Sequence, residues 1–167
     1  MLYWAVTIQY SVPDICDNFS DSIQVGDIHF QSYGKKKSFY GQVETLFCPD
    51  DNSLVKKLLN TNGNNKVLVV DASSNAHTSM VGDQIAAAAK KNNWAGIIVN
   101  GYIRDIEVIA NIDIGVLAKA SVPLKTNKDD FGKQGVNLYF NNVIIKPGFW
   151  IYVDTNGWVV SKNKLEF

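Results

Sequence analysis

Cysteine and histidine are both scarce in this chain, with two of each among 167 residues. Cys16 and Cys48 are too few for a disulfide framework, and with the two histidines they offer no zinc-ligand spacing. The shortage of histidine also weighs against an ordered nucleophilic triad: Ser73 and Ser74 have His77 nearby, but no Gly-x-Ser-x-Gly elbow surrounds them. Neither sign of charge is in excess, because 16 basic residues balance 16 acidic ones. No global field then draws the chain to nucleic acid or to an anionic membrane, and the densest basic run, Lys35-Lys36-Lys37, reads as a solvated turn after Gly34. The apolar opening, Met1 to Tyr10, is far too short to span a bilayer and lacks a basic start and a small-residue cleavage site. It reads as either an extra edge strand or a disordered leader. These absences point to a cytoplasmic protein with no direct contact to nucleic acid or membrane.

The 167 residues suit a single domain, residues 1–167, long enough to bury a sizeable core. Its centre is legible between Val67 and Asp105. Val67-Leu68-Val69-Val70 has the β-branching of a buried strand, and Gly96-Ile97-Ile98-Val99 repeats that signature about thirty residues later. Between them Gly82-Asp83 opens a helix that runs through Gln84 to Lys91 and stops at Asn92-Asn93. Strand, helix, strand at this spacing is a βαβ unit with two parallel strands and a right-handed crossover.

Flanking segments are read in the same way. Ser11 is placed to cap a short helix through Phe19, with Pro13 tolerated in the first turn. Gln42 to Phe47 alternates as a half-buried strand, and Asp50-Asp51-Asn52 caps a helix whose Leu54, Val55, Leu58 and Leu59 share one face. A further strand is expected over Asp113 to Ala118. Val136 to Phe140 and Val143 to Ile145 form a hairpin about Asn141-Asn142, and Phe149 to Val153 pairs with Trp158 to Val160. Lys125 to Gly135 reads as a polar loop. Nineteen aromatic residues are many for one small core, so several among Tyr139, Phe140, Phe149, Trp150 and Trp158 are expected at an interface.

The βαβ topology gathers charge on one rim. Asp71 ends the first strand, Asp83 sits in the first turn of the helix, and Arg104-Asp105 follow the second strand. Open parallel sheets place ligands at that rim, beyond the carboxyl ends of their strands. Each group also has a plain structural reading: Asp83 complements the helix dipole, Asp105 caps the turn Ile106 to Ala110, and Arg104 is its surface ion-pair partner. A dinucleotide site is not supported, because Ala72 to Ala76 contains no glycine. An arginine fork beside an aspartate suits a small 2-oxo acid, with the fork on the carboxylate and a hydrated divalent cation on the aspartate.

The runs Gly82-Asp83-Gln84-Ile85-Ala86 and Ala89-Lys90-Lys91-Asn92-Asn93-Trp94-Ala95-Gly96-Ile97-Ile98-Val99-Asn100-Gly101-Tyr102-Ile103-Arg104-Asp105 closely resemble the RraA family. The likeness extends to Ser38 to Val43, Asp51 to Val55, Val67 to Asp71, Ile112 to Val116 and Pro147-Gly148. It implies a swivelling β/β/α fold of the α/β class, with the parallel βαβ core and antiparallel hairpins read above. It also implies a metal-dependent carbon–carbon lyase, either a 4-hydroxy-4-methyl-2-oxoglutarate aldolase or an oxaloacetate decarboxylase, and as the alternative a regulator that binds RNase E and restrains RNA cleavage. By position, Asp105 resembles the ligand of a Mg²⁺ or Mn²⁺ ion. Arg104 resembles the residue that holds the substrate carboxylate, and Asp83 the acid that positions a water to protonate the enolate. Met80, Val81, Gly82 and Asp83 resemble the substrate-binding loop, at a helix start where free N–H groups attract anions. Family members assemble as homotrimers, sometimes paired into hexamers. One departure stands out: the family's glycine-rich turn and arginine are here Ala72-Ser73-Ser74-Asn75-Ala76-His77.

Overall fold

Two apolar runs fix the centre of the molecule, and the remaining elements are arranged to cover them. The computed structural model describes residues 10–73 and 77–167. In chain order the elements are α1 (Val12–Asn18), β1 (Ile23–Val25), β2 (Gln31–Ser32), β3 (Phe39–Phe47), α2 (Ser53–Leu59), β4 (Val67–Asp71), β5 (Ser79–Val81) and α3 (Asp83–Lys91). They continue as β6 (Gly96–Ile103), α4 (Ile106–Ile109), β7 (Gly115–Ser121), β8 (Lys133–Gln134), β9 (Leu138–Phe140), β10 (Val143–Ile145), β11 (Trp150–Asp154) and β12 (Gly157–Ser161).

The main sheet runs β1-β12-β11-β3-β4-β6-β7-β2. Its middle is parallel: β3 with β4, β4 with β6 in the register Val67↔Gly96 to Asp71↔Asn100, and β6 with β7. Its outer strands are antiparallel. Val67 to Val70 are fully buried because the sheet is covered on both sides. Leu68 and Val70 join Ile85, Ala86 and Ala89 of α3, and Val55 and Leu59 of α2, in one core, whereas Val67 and Val69 face a second core closed by Leu138, Ile145, Ile151 and Trp158. The fold is therefore α/β, a parallel βαβ centre flanked by antiparallel hairpins. β3 joins the two halves: Phe39 to Gln42 pair antiparallel with β11, and Val43 to Phe47 pair parallel with β4.

Close packing at the sheet's lower end depends on two glycines. Gly96 and Gly115 are register partners on β6 and β7, and a Cβ on either would lie 2.3 or 2.1 Å from the Phe39 ring. That ring occupies the space their missing side chains leave.

Some boundaries differ from the sequence reading. The strand expected from Asp113 begins at Gly115, after a bend, and β3 starts at Phe39 because β11 gives its first residues a partner. Ser11 caps α1 as expected, its Oγ accepting from the Asp14 N–H at 3.3 Å. Asn141 and Asn142 both have positive φ, the conformation of a type I′ hairpin turn. Of the five aromatics expected at an interface, Phe140 and Trp158 lie in the core, whereas Tyr139 is 63 % exposed. The expected leader or edge strand, residues 1–9, lies outside the described residues. Tyr10 is described, and its hydroxyl donates to the carbonyls of Phe39 and Val153.

The polar stretch after β7 is held by a carboxylate that the sequence reading gave only a capping role. Asn52 occupies the N-cap position of α2 without a side-chain cap, and Asp51, 2 % exposed, accepts the Ser53 N–H at 2.8 Å instead. Its other oxygen accepts the N–H groups of Asp129 and Phe131 at 2.6 and 3.2 Å. Burial pushes this carboxyl up, but the hydrogen bonds from Ser53, Asp129 and Phe131 outweigh burial and leave it below the ordinary carboxylate value. A depressed folded pKa gives stability that is complete above the unfolded value, about 3.9, and is lost as pH falls through the lower folded value. Asp51→Asn should therefore cost stability in urea titrations near neutral pH and converge on wild type as pH falls through the depressed folded value. A gap of constant size through that value would contradict the linkage.

Candidate active site

The ends of β5 and β6 meet across a single hydrogen-bonded step that sets the site. The Arg104 N–H donates to the Val81 carbonyl at 3.0 Å, and two residues later in the other segment the Asp83 N–H donates to Asp105 Oδ2 at 3.2 Å. Asp105 stands at the N-cap position of α4, yet its side chain makes no cap there. The carboxylate instead reaches across to the start of α3, where the helix dipole favours negative charge. Its backbone is left-handed, φ 56° and ψ 38°, a conformation that Asp tolerates better than most residues and that recurs at functional sites.

Gly82 makes this approach possible. Its φ of −114° is ordinary extended backbone, so conformation does not demand glycine; space does, because a Cβ would sit 2.7 Å from Asp105 Oδ2. The Asp83 carboxylate accepts the N–H of Gln84 at 2.8 Å. The helix start expected to offer free N–H groups therefore has its Asp83 and Gln84 donors already engaged by carboxylates.

Arg104 and Asp105 do not form a tight pair. Nε lies 3.8 Å from Oδ2, outside hydrogen-bond range, and the side chains are 43 % and 38 % exposed. A surface pair of this geometry adds little stability. None of the described hydrogen bonds uses the guanidinium, so its fork of donors is left for a ligand. It is also the chain's only arginine; the other 15 basic residues are lysines.

Gly82, Asp83, Arg104 and Asp105 line one cleft of about 390 Å³, together with Asn52, Lys56, Lys125 and Lys128. Four cationic and two anionic side chains face it in a chain of zero net charge, which favours an anionic ligand. Met80 and Val81 do not line it. Their side chains are buried at 1 % and 0 %, and the Val81 carbonyl is occupied by Arg104. Asp71, expected on the same rim, is likewise elsewhere: it is 4 % exposed, and its Oδ1 accepts from Asn100 Nδ2 at 2.9 Å, from the Ser73 N–H at 3.0 Å and from the Ser73 hydroxyl. His77 packs edge-on against Tyr102, centroids 5.0 Å apart, and is not among the residues lining the cleft. Lys125, Lys128 and Asn52 were missed by sequence reasoning, since neither a polar loop more than 20 residues after Arg104 nor a helix cap far before it carries a local signal of where it folds. Cys48 is fully buried, and burial, then the Asp51 and Asp71 carboxylates, push its thiol up to about 12, which disfavours the reactive thiolate.

A divalent cation can be tested against these residues. Among the described residues no three His, Cys, Asp or Glu side chains converge as a metal cage. Asp105 offers one half-exposed carboxylate whose Oδ1 enters none of the described hydrogen bonds. A hard ion that keeps most of its waters needs little more from the protein.

A model of the RraA-like family, described as Aldolase/RraA, matches residues 12–160. The chain belongs to the RraA-like family. Curated relatives share this length: a protein of Ectopseudomonas mendocina is 44 % identical over 158 residues, covering 95 % of this chain and 98 % of its own, and one of Pseudomonas aeruginosa is 43 % identical with the same coverages. Their names propose 4-hydroxy-4-methyl-2-oxoglutarate aldolases. Solved structures agree in fold. An RNA-processing inhibitor RraA from Thermus superposes with a TM-score of 0.91 at 31 % identity, covering 95 % of this chain and 96 % of that one. A Geobacillus kaustophilus protein titled an S-adenosylmethionine:2-dimethylmenaquinone methyltransferase gives 0.90 at 38 % identity, covering 93 % and 97 %. Three activities are thus named on one family fold, so the fold alone does not choose among them.

Proposed function

We propose that the chain is a divalent-metal-dependent lyase that breaks a carbon–carbon bond of a 2-oxo acid and releases pyruvate. The observation that carries the reading is the free guanidinium of Arg104 beside the Asp105 carboxylate in a cationic cleft. Arg104 binds the substrate carboxylate by two parallel hydrogen bonds. Asp105 would hold a Mg²⁺ or Mn²⁺ ion, which when bound would supply a Lewis acid for the 2-oxo group. With oxaloacetate the bond to the far carboxylate breaks and CO₂ leaves, and its electron pair remains as the pyruvate enolate; with a 4-hydroxy-2-oxo diacid the C3–C4 bond breaks, its electron pair remains as the same enolate, the 4-hydroxyl proton passes to solvent water, and C4 leaves as the carbonyl carbon of a second 2-oxo acid. Asp83, anchored through one oxygen on the Gln84 N–H, uses the other to orient the water that returns a proton to the enolate carbon. The Val81 carbonyl contributes by fixing the Arg104 backbone, and Gly82 by leaving room for the Asp105 carboxylate.

Purified protein is expected to release pyruvate from oxaloacetate or 4-hydroxy-4-methyl-2-oxoglutarate, and chelator is expected to stop it. Loss of none of that rate on chelation, after subtracting decarboxylation by free metal, would sink the reading. The second reading, a regulator that binds RNase E, draws on the Thermus neighbour at 31 % identity, which is named an RNA-processing inhibitor. A stoichiometric complex with RNase E from a protein inert toward 2-oxo acids would establish it instead.

The lyase is proposed to be cytoplasmic and to assemble as a homotrimer or a pair of trimers. Exposed Tyr139 on the β9–β10 hairpin supplies apolar surface for such contacts. Light scattering on a sizing column should give three or six chains per particle, and a clean monomer at micromolar concentration would count against assembly.

A further inference from the structure

One wall of the cleft is a stretch with little regular structure, and its course is set by two buried side chains of another segment. Asp51 holds the Asp129 and Phe131 N–H groups. Its neighbour Asn52, 7 % exposed, accepts the Thr126 hydroxyl at 2.8 Å and the Lys128 ammonium at 3.0 Å on the same oxygen, Oδ1. The Asn52 N–H returns a bond to Thr126 Oγ1 at 3.3 Å. At the other end the Ser79 N–H donates to the Leu124 carbonyl at 2.7 Å. Leu124 to Phe131 is therefore tied down along its length although Lys128, Asp129, Asp130 and Phe131 are all exposed.

This arrangement does more than fasten a loop. Thr126 and the backbone of Asp129 and Phe131 would suffice for that, yet Asn52 also fixes the tip of a long, exposed lysine. A lysine on a bare surface samples many rotamers, and a ligand that recruits it must order it. Here that ordering is made in advance, at a residue that lines the same cleft as Arg104. Asn52 is neutral, so the ammonium keeps its full charge and two of its three donors.

We propose that Asn52 is a positioning residue that holds the Lys128 ammonium in the cleft as the counter-ion for the second carboxylate of a dicarboxylate substrate. The proposal rests on the reading of the cleft as a 2-oxo-acid site and names the feature that separates a diacid from a monoacid: Arg104 takes the carboxylate beside the oxo group, and Lys128 takes the far one.

The test is a double-mutant cycle on the full chain with Asn52→Leu, Lys128→Met and the two combined, each checked by thermal unfolding. Two readouts are taken: kcat and KM for metal-dependent oxaloacetate decarboxylation, and calorimetric affinity for malonate, a diacid that cannot yield pyruvate. Asn52→Leu is expected to raise the KM and the malonate Kd about tenfold, the scale of one charge-assisted contact, with pyruvate affinity unchanged and kcat unchanged or raised, because the charge that Lys128 holds is lost as CO₂ leaves. It should have no further effect once Lys128 is Met. A fall in kcat at constant KM and Kd, or an effect of Asn52→Leu that persists in full beside Lys128→Met, would overturn the proposal. The two readings fail separately. Malonate affinity that follows Asn52 in a protein releasing no pyruvate would remove the lyase assignment and leave the positioning role. Pyruvate release with identical KM in every variant would remove the positioning role alone.

Discussion

Asp105→Asn is expected to abolish the metal-dependent part of pyruvate release while leaving the fold intact. Asn is the informative replacement. It tolerates the left-handed backbone of this position, and its amide oxygen can still accept the Asp83 N–H that Asp105 accepts now at 3.2 Å. What it removes is the negative charge of the carboxylate assigned to the hydrated cation. Asp105→Ala would confound the loss of a ligand with the cost of a left-handed alanine and an unpaired N–H. Arg104→Lys is expected to fall in the same assay by a smaller amount. An ammonium keeps the charge but not the planar fork, and the loss of one charge-assisted hydrogen bond costs about 1.5–3 kcal/mol, roughly tenfold to a hundredfold in kcat/KM. If Asp105→Asn turned over at the wild-type rate with and without chelator, Asp105 would have no part in the reaction.

The centre of the fold was legible because its signals are local. Val67 to Val70 and Gly96 to Val99 are apolar runs of strand length with a helix between them, and every residue needed for that inference lies within forty positions. Asn141-Asn142 was legible for the same reason, since a two-residue turn announces itself. β5 was not: Ser79–Val81 is three residues long, too short for alternation to show, and it exists because β6 offers it an edge. Likewise β3 extends back to Phe39 only because β11, more than a hundred residues later, pairs with it. The site divides along the same line. Arg104, Asp105 and Asp83 were visible from their places at strand and helix ends, and the structure brings them into one cleft. Asp71 stood in an equivalent place at the end of β4 but was turned inward to Asn100 and Ser73, a choice of side-chain direction that strand position does not specify. Lys125, Lys128 and Asn52 were invisible, because what carries the polar loop to the cleft is the buried carboxylate of Asp51, more than seventy residues away in sequence.

Gly82→Ala should separate catalysis from stability with opposite signs. The backbone there, φ −114° and ψ −172°, accepts alanine without strain, and replacing glycine at a compatible position stabilises by about 0.4–1 kcal/mol through the unfolded chain. The added Cβ meets no backbone wall. The nearest atom is Asp105 Oδ2 at 2.7 Å, and the next, Arg104 Nε, is 3.7 Å away. A short carboxylate can yield by rotating, so folding loses little, but the group that yields is the one assigned to the metal. Displacing a reactive group by about 1 Å costs on the order of a hundredfold. The expected result is a melting temperature equal to or slightly above wild type, a weakened apparent affinity for Mn²⁺ in an activity titration, and turnover lower by roughly tenfold to a hundredfold. A parallel fall in melting temperature and turnover would mean that the glycine serves packing rather than the site. Wild-type turnover from a well-folded Gly82→Ala protein would be the stronger refutation, since it would show that the close approach of Gly82 to Asp105 has no bearing on the chemistry.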